Sequence, residues 1–296
     1  MKIIIISLTL SLLLYCVYSL VKAYLLVHTL SHPSIRKHRS YIDNTLASHR
    51  KFEFKTKNGL NLKAIEYEPA LEPRGTIIAC HYLGGSKESI FPYLEFLIDT
   101  GFSVVSFDFR NHGESDSEKI TKFSLDEDVF LFMEKIKEMG IEGPYGVMGL
   151  SMGATPALAV FERYPEIKAA VIDSGPLIYV REYFDYVLNI KGIKNPLCRF
   201  FFKVLYLHFV GFKRMSENTL KCLKKLKGRP VFFIHAEKDS TITIKNALKA
   251  FEIVKSDKTQ FWRVPKSRHL TILSQNGQEY RKKVIDFLKN SLDIKD

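Results

Sequence analysis

The sequence predicts an α/β fold, a mostly parallel sheet covered by helices on both faces, entered through an antiparallel hairpin and interrupted once by a helical cap. Three observations carry this expectation. From Thr76 onward, short apolar runs alternate with longer amphipathic ones, the order that builds parallel sheets with helical crossovers. Ahead of them, residues 51–57 and 60–68 alternate in polarity around Asn58-Gly59, a dipeptide that favours a tight hairpin turn. Finally, Gly149-Leu150-Ser151-Met152-Gly153 follows an apolar run and opens an amphipathic one, so a strand turns there sharply into a helix.

Taken in order, the chain of 296 residues begins with an uncharged apolar run over residues 3–21 that resumes after Lys22 as far as Val27. That is about the roughly 20 helical residues needed to cross the hydrocarbon of a bilayer, and it exceeds the usual core of a secretory signal. Residues 1–28 are therefore expected to be a single-pass transmembrane anchor, with a signal cleaved at Val21-Lys22-Ala23 as the alternative. Residues 29–48 carry Pro33 and many polar residues without a clear period, and read as a juxtamembrane linker. The remaining domain, 49–296, should place strands at 76–80, 103–107, 144–148, 169–173, 231–235 and 259–264 after the hairpin. Helices are expected near 89–100, 124–139, 154–163, 244–255 and 275–290. Residues 177–228 are too long for a loop and form the expected cap. Aromatics from Tyr179 to Phe212 either line a pocket for an acyl or aryl group or pack the cap's own core.

The strand–turn–helix at Ser151 has a chemical meaning. Glycines two residues on either side let neighbouring backbone approach, and the serine is presented at a helix N-terminus where the Met152 amide is free to donate to an oxyanion. A serine hydroxyl is a poor nucleophile near neutrality, so it needs a histidine base held by a carboxylate. Downstream, the apolar run ending at His235 breaks into a loop carrying Asp239, and the run over 259–264 breaks into a loop carrying His269. Asp173, at the end of the strand after the nucleophile helix, is the rival carboxylate; its ordinary reading is a turn residue that satisfies backbone amides. His235 reads as a strand-end residue and His208 as a packed imidazole in an aromatic stretch.

From about His49 to the C-terminus, the chain resembles the α/β-hydrolase superfamily, with its mostly parallel eight-stranded sheet and the chain order Ser, Asp, His. His81-Tyr82-Leu83-Gly84-Gly85 is similar to that family's His-Gly-x-Gly-Gly loop, which makes the Leu83 amide the second oxyanion donor beside Met152. Asp108-Phe109-Arg110-Asn111-His112-Gly113-Glu114-Ser115 resembles its Asp-x-Arg-Gly-His-Gly-x-Ser loop, and His81 and His112 belong to loops that brace the site. Tyr82, Asn111 and Ala236 stand where glycines are common. The resemblance implies a serine hydrolase that cleaves carboxylic esters of lipid-like, aryl or acyl type through an acyl-enzyme, and needs no cofactor. A serine peptidase, a thioesterase and a non-catalytic binding module are the alternatives.

Composition narrows the rest. The net charge of +12 is spread along the chain without a nucleic-acid module, so it fits a solvated basic surface or one facing anionic lipid headgroups. No His-Glu-x-x-His, Cys-x-x-Cys or clustered carboxylates at ligand spacing point to a metal, and no phosphate-cradling loop is present. Arg36, Lys37, Arg39, Arg50 and Lys51 outweigh Lys2, which favours a cytoplasmic domain for an anchored chain, whereas cleavage would place the domain outside. Of four cysteines only Cys198 and Cys222 have positions that allow pairing, and free thiols are the expectation. Membrane lipid and a small ester are the expected partners.

Overall fold

The computed structural model describes residues 2–32, 48–70, 72–118 and 125–294. Eight strands form one sheet in the order β1-β2-β4-β3-β5-β6-β7-β8, made of β1 (Ser48–Lys55), β2 (Asn61–Glu68), β3 (Thr76–Cys80), β4 (Ser103–Phe107), β5 (Tyr145–Leu150), β6 (Ile167–Asp173), β7 (Val231–Ala236) and β8 (Thr259–Val264). The β1–β2 hairpin and the β2–β4 pair are antiparallel, and every later pairing is parallel. The hairpin turns where Gly59 takes φ +84°, a left-handed value glycine adopts without strain. The sheet is thus the expected α/β-hydrolase fold.

Strands β3, β4 and β5 are buried on both faces, which is why they read as continuous apolar runs rather than alternating ones. Ile78 and Cys80 point to one face, where they meet α3 (Leu125–Glu138) and α4 (Ala154–Arg163) through Phe132, Ala157 and Phe161. Ile77 and Ala79 point to the other, against α2 (Glu95–Asp99) and α10 (Gly277–Ser291), through Leu97, Tyr280 and Phe287. The period-two side-chain rule divides a single strand between two cores.

Several boundaries differ from expectation for local reasons. The helix expected over 89–100 is a 3₁₀ turn, Phe91–Tyr93, followed by the short α2, because Pro92 at the start leads to i→i+3 bonds such as Leu94 N–H to the Phe91 carbonyl. The last helix is divided at Asn276 into α9 (Ile272–Gln275) and α10. Strand β5 runs on to Leu150, pairing Gly149 with Ile172 and Leu150 with Asp173, so Ser151 follows the sheet directly. The expected helix start at Ser124 lies outside the described residues.

The insertion between β6 and β7 is helical: α5 (Val180–Ile190), α6 (Pro196–Val204) continuing through a π-helical turn (Leu205–Phe209), and α7 (Phe212–Lys225), after which the chain enters β7, and α8 (Ile244–Val254) connects β7 to β8. Phe184, Phe202, Tyr206 and Phe212 form its own aromatic core. His208 is exposed rather than packed, since it lies on the π turn's outer side. Cys198 and Cys222 are both free thiols.

The largest departure lies at the front. Helix α1 (Lys2–Ser31) continues past residue 28 to Ser31, and most of the expected linker, 33–47, lies outside the described residues. Every residue from Lys2 to Tyr15 is exposed, whereas Ser19, Ala23, Val27 and Ser31 are buried at a spacing of four. That spacing is one face of a helix, and it lies against α6, where Asn195 donates from Nδ2 to Ser19 Oγ at 3.1 Å. The helix is long and apolar enough to cross a membrane.

Candidate active site

Ser151 sits at the strand-to-helix junction with φ 51°, a left-handed value that costs a non-glycine residue on the order of 1 kcal/mol and persists only where surroundings impose it. The surroundings are close-packed backbone. A Cβ on Gly149 would lie 2.6 Å from that of Ala157, and one on Gly153 would lie 2.3 Å from the carbonyl oxygen of Cys80. The two glycines therefore let α4 start directly beneath the end of β3, which holds the Ser151 hydroxyl at the carboxyl edge of the sheet.

Three loops converge there. Ser151 Oγ lies 2.8 Å from His269 Nε2, and His269 Nδ1 lies 2.6 Å from Asp239 Oδ2. The second carboxylate oxygen of Asp239 accepts the amides of Thr241 and Ile242, each at 2.9 Å. A carboxylate held by two amides on one oxygen presents its other oxygen in a fixed direction, so the imidazole carries its proton on Nδ1 and turns the Nε2 lone pair toward Ser151. The Asp239 side chain is fully buried and that of His269 is one-fifth exposed. Behind the pair, His235 donates from Nε2 to the Ile242 carbonyl at 2.8 Å and stands 3.6 Å from Asp239 Oδ2. Burial holds the His235 imidazole below its ordinary pKa, so it supports the Asp239 loop as a neutral ring.

Asp173 is not part of this chain of contacts. It is completely buried, accepting Ser174 Oγ at 2.8 Å and the Tyr280 hydroxyl at 2.9 Å, side-chain donors in place of the turn amides expected for it. Burial raises its carboxyl to a pKa of about 6 against these two hydrogen bonds.

Leu83 and Met152 both border the cleft beside Ser151. The Leu83 loop is tied down by His81, whose Nδ1 donates to the Tyr82 carbonyl at 2.8 Å and whose Nε2 accepts the Phe109 amide at 3.1 Å. Complete burial, with His112 as neighbour, pushes the His81 pKa well down, which keeps the Nε2 acceptor available. Beneath the same loop, Lys87 reaches Asp108 Oδ2 at 2.9 Å and Glu114 Oε2 at 2.6 Å, with the first two side chains almost wholly buried. The uncommon residues now have reasons. Asn111 takes φ 64°, a conformation asparagine tolerates better than most residues, and Ala236 lies within β7, where a glycine is not needed. The ring of Tyr82 covers Gly85, whose missing Cβ would otherwise meet it at 3.0 Å.

The cleft measures about 220 Å³ and is chiefly apolar, with Leu177, Tyr183, Tyr206, Phe212 and Met215 from the cap facing Ser151. Of the cap aromatics, Phe184 and Phe202 are core, while Phe200 is 59% exposed. Leu30 of α1 also lines the cleft, a contribution sequence reasoning missed; the four-residue spacing of small residues in α1 was its available signal. Tyr280 and the Thr241 and Ile242 amides were likewise missed, and nothing local in the sequence marks them. Among the described residues no group of three or more histidines, cysteines or carboxylates is placed to hold a metal ion.

Comparison with known proteins agrees with the fold. A family model described as "Serine aminopeptidase, S33" matches residues 71–208. The uncharacterized protein YqkD of Bacillus subtilis is 26% identical over 246 residues, covering 79% of this chain and 77% of its own. The esterase Pf2001 of Pyrococcus furiosus superposes with a TM-score of 0.75 at 22% identity, covering 88% of this chain and 98% of that one. A thermostable carboxyl esterase of Bacillus coagulans superposes with a TM-score of 0.65 at 16% identity, covering 84% and 100%.

Proposed function

We propose that the chain, which shares its fold with α/β-hydrolases, is a membrane-anchored serine hydrolase of that superfamily cleaving carboxylic esters through an acyl-enzyme. The observation that carries the reading is the continuous relay from Ser151 through His269 to Asp239, with contacts of 2.8 and 2.6 Å. Ser151 Oγ attacks the ester carbonyl carbon while His269 Nε2 takes its proton. Asp239 keeps the imidazole in the required tautomer and stabilises its charged form. The amides of Leu83 and Met152 receive the oxyanion of the tetrahedral intermediate, each contributing about 3 kcal/mol of the stabilisation. Collapse breaks the bond to the alcohol oxygen, which takes the proton back from His269. Water, activated by the same imidazole, then releases the acid and restores Ser151.

Ester cleavage is favoured over the aminopeptidase activity in the matched family's description. A free amino terminus is recognised by an anionic group, and among the described residues lining the cleft there is no carboxylate. An apolar lining and an apolar helix at its edge fit an acyl chain instead, and esterase neighbours support the same class. The positive charges after α1 favour a cytoplasmic domain.

A fluorophosphonate probe tests the mechanism. The wild type should be modified and Ser151→Ala should not, with p-nitrophenyl acyl esters turned over in preference to aminoacyl anilides. Absence of labelling in a folded wild-type protein would leave only a binding module.

A further inference from the structure

Helix α1 does two things at once. Its first fourteen residues, Lys2–Tyr15, are all exposed and mostly apolar, with Ile3 82% and Leu8 65% exposed. Its last turns belong to the cap: Ala23 and Val27 are buried with Phe184, Phe202 and Tyr206, while Leu30 faces the cleft beside Ser151.

Length brings these two roles together. At 1.5 Å per residue the undocked part spans only about 21 Å, short of the roughly 30 Å of bilayer hydrocarbon. For α1 to cross, the hydrocarbon must extend to about Val21, past Ser19, where α6 is already in contact through Asn195. The turn joining α5 to α6 is therefore brought to the headgroup boundary. Its surface suits that place: Ile190 is 61% exposed, Phe200 on α6 is 59% exposed, and Lys191 and Lys194 are exposed between them. From there α1 and α6 run side by side to Leu30 and Tyr206, which both line the cleft.

We propose that α1 is a wall of the catalytic cleft as well as an anchor, and that the acyl chain of a single-chain ester resident in the membrane reaches Ser151 along it, directly from the bilayer. The inference rests on the ester-hydrolase reading above. The cleft, about 220 Å³, is smaller than the roughly 300–1,000 Å³ of pockets that enclose a drug-sized ligand, and a single chain suits it better than two. The carbonyl then stops at Ser151 and the alcohol portion remains toward water.

Full-length protein reconstituted in phosphatidylcholine–phosphatidylglycerol vesicles tests the route. A glycerol mono-oleoyl ester in the same vesicles should be hydrolysed initially about tenfold faster than the ester supplied in protein-free vesicles, since desorption of a long chain loses the burial of many methylenes. Equal initial rates overturn the proposal. The wall is tested by the chain-length optimum on p-nitrophenyl esters. Leu30→Trp should move it down by about two carbons and Leu30→Ala up, whereas Leu12→Trp, in the undocked part, leaves it in place. Fluorophosphonate labelling of Ser151 reports that each variant is folded. A labelled enzyme whose optimum ignores Leu30 sinks this inference and leaves the esterase reading standing; a wild type that neither labels nor hydrolyses any ester sinks the reading itself.

Discussion

The hydroxyl of Tyr280 donates to the carboxylate of Asp173 at 2.9 Å, and this bond keeps an acid one strand away from Asp239, the proposed catalytic one, occupied in a separate, closed environment. The two carboxylates consequently respond differently to the same change. Asp239→Asn should lower kcat on the order of 10³–10⁴-fold by favouring the wrong imidazole tautomer. Asp173→Asn should leave kcat within a few-fold, because it touches Ser174 and Tyr280 rather than His269. Equal losses in the two variants would remove Asp239 from its assigned role.

Asp173 also makes stability depend on pH. Burial raises its carboxyl from 3.8 to about 6, so the folded value lies above the unfolded one. The stability it contributes is complete below about pH 4 and is lost as pH rises through about 6. An uncharged asparagine removes that dependence. Melting curves of Asp173→Asn should gain on wild type across this interval, and parallel curves at all pH values would contradict the argument.

Acid should act through His81 and His112. Burial brings the His112 pKa from 6.5 down to about 4, its Nδ1 donating to the Arg110 carbonyl, and lowers His81 as well. The unfolded chain then binds protons that the folded one refuses, so stability falls as pH drops below about 6.5, by on the order of 3 kcal/mol for His112 alone by the time its folded pKa is passed. Protonated His81 also loses the Phe109 amide as a donor, which frees the Leu83 loop. Denaturant midpoints measured from neutral to acidic pH should fall, and ester hydrolysis should fail irreversibly only after them.

Lys87→Met removes the cation from a buried carboxylate. Breaking such a pair costs about 3–5 kcal/mol, here toward the lower end because Asp108 keeps the amides of residue 87 and Glu114 at 2.6 and 2.9 Å. Urea unfolding reads this directly, and a loss under about 1 kcal/mol, the size expected of an exposed pair, would contradict the burial of this one.

Gly153→Ala should be worse for activity than for solubility. Its Cβ meets backbone at Cys80 and His81, so the start of α4 must shift and carry the Met152 amide with it. A fall of about 10²-fold or more in kcat with labelling of Ser151 retained is the expected signature of a displaced oxyanion donor. An unchanged kcat would mean that Met152 donates nothing.

Much of the sheet was legible because buried parallel strands are written as unbroken apolar runs, and the elbow because close packing around Ser151 demands glycine at 149 and 153. The positions of Asp239 and His269 were legible from strand ends together with the superfamily's chain order, since Asp173 also ends a strand, although the hydrogen bonds joining them to Ser151 are a property of three loops meeting in space. What was hidden is tertiary. Nothing within ten residues of Asp173 announces Tyr280, which lies 107 positions later and supplies the donor that separates the two acids. Nor does a linear reading connect Leu30 with a cleft whose serine is more than a hundred residues away. The 3₁₀ turn at Pro92 and the break at Asn276 are local, but their effect on helix length depends on the bonds actually made.

Ser19 and Ala23 are both fully shielded from solvent, packed where α1 meets α6. Proteolytic removal of a leader ending at Ala23 would therefore bare part of an aromatic cluster to water, and a shortened chain made for crystallisation would need polar residues grafted onto the face of α6 to stay dispersed.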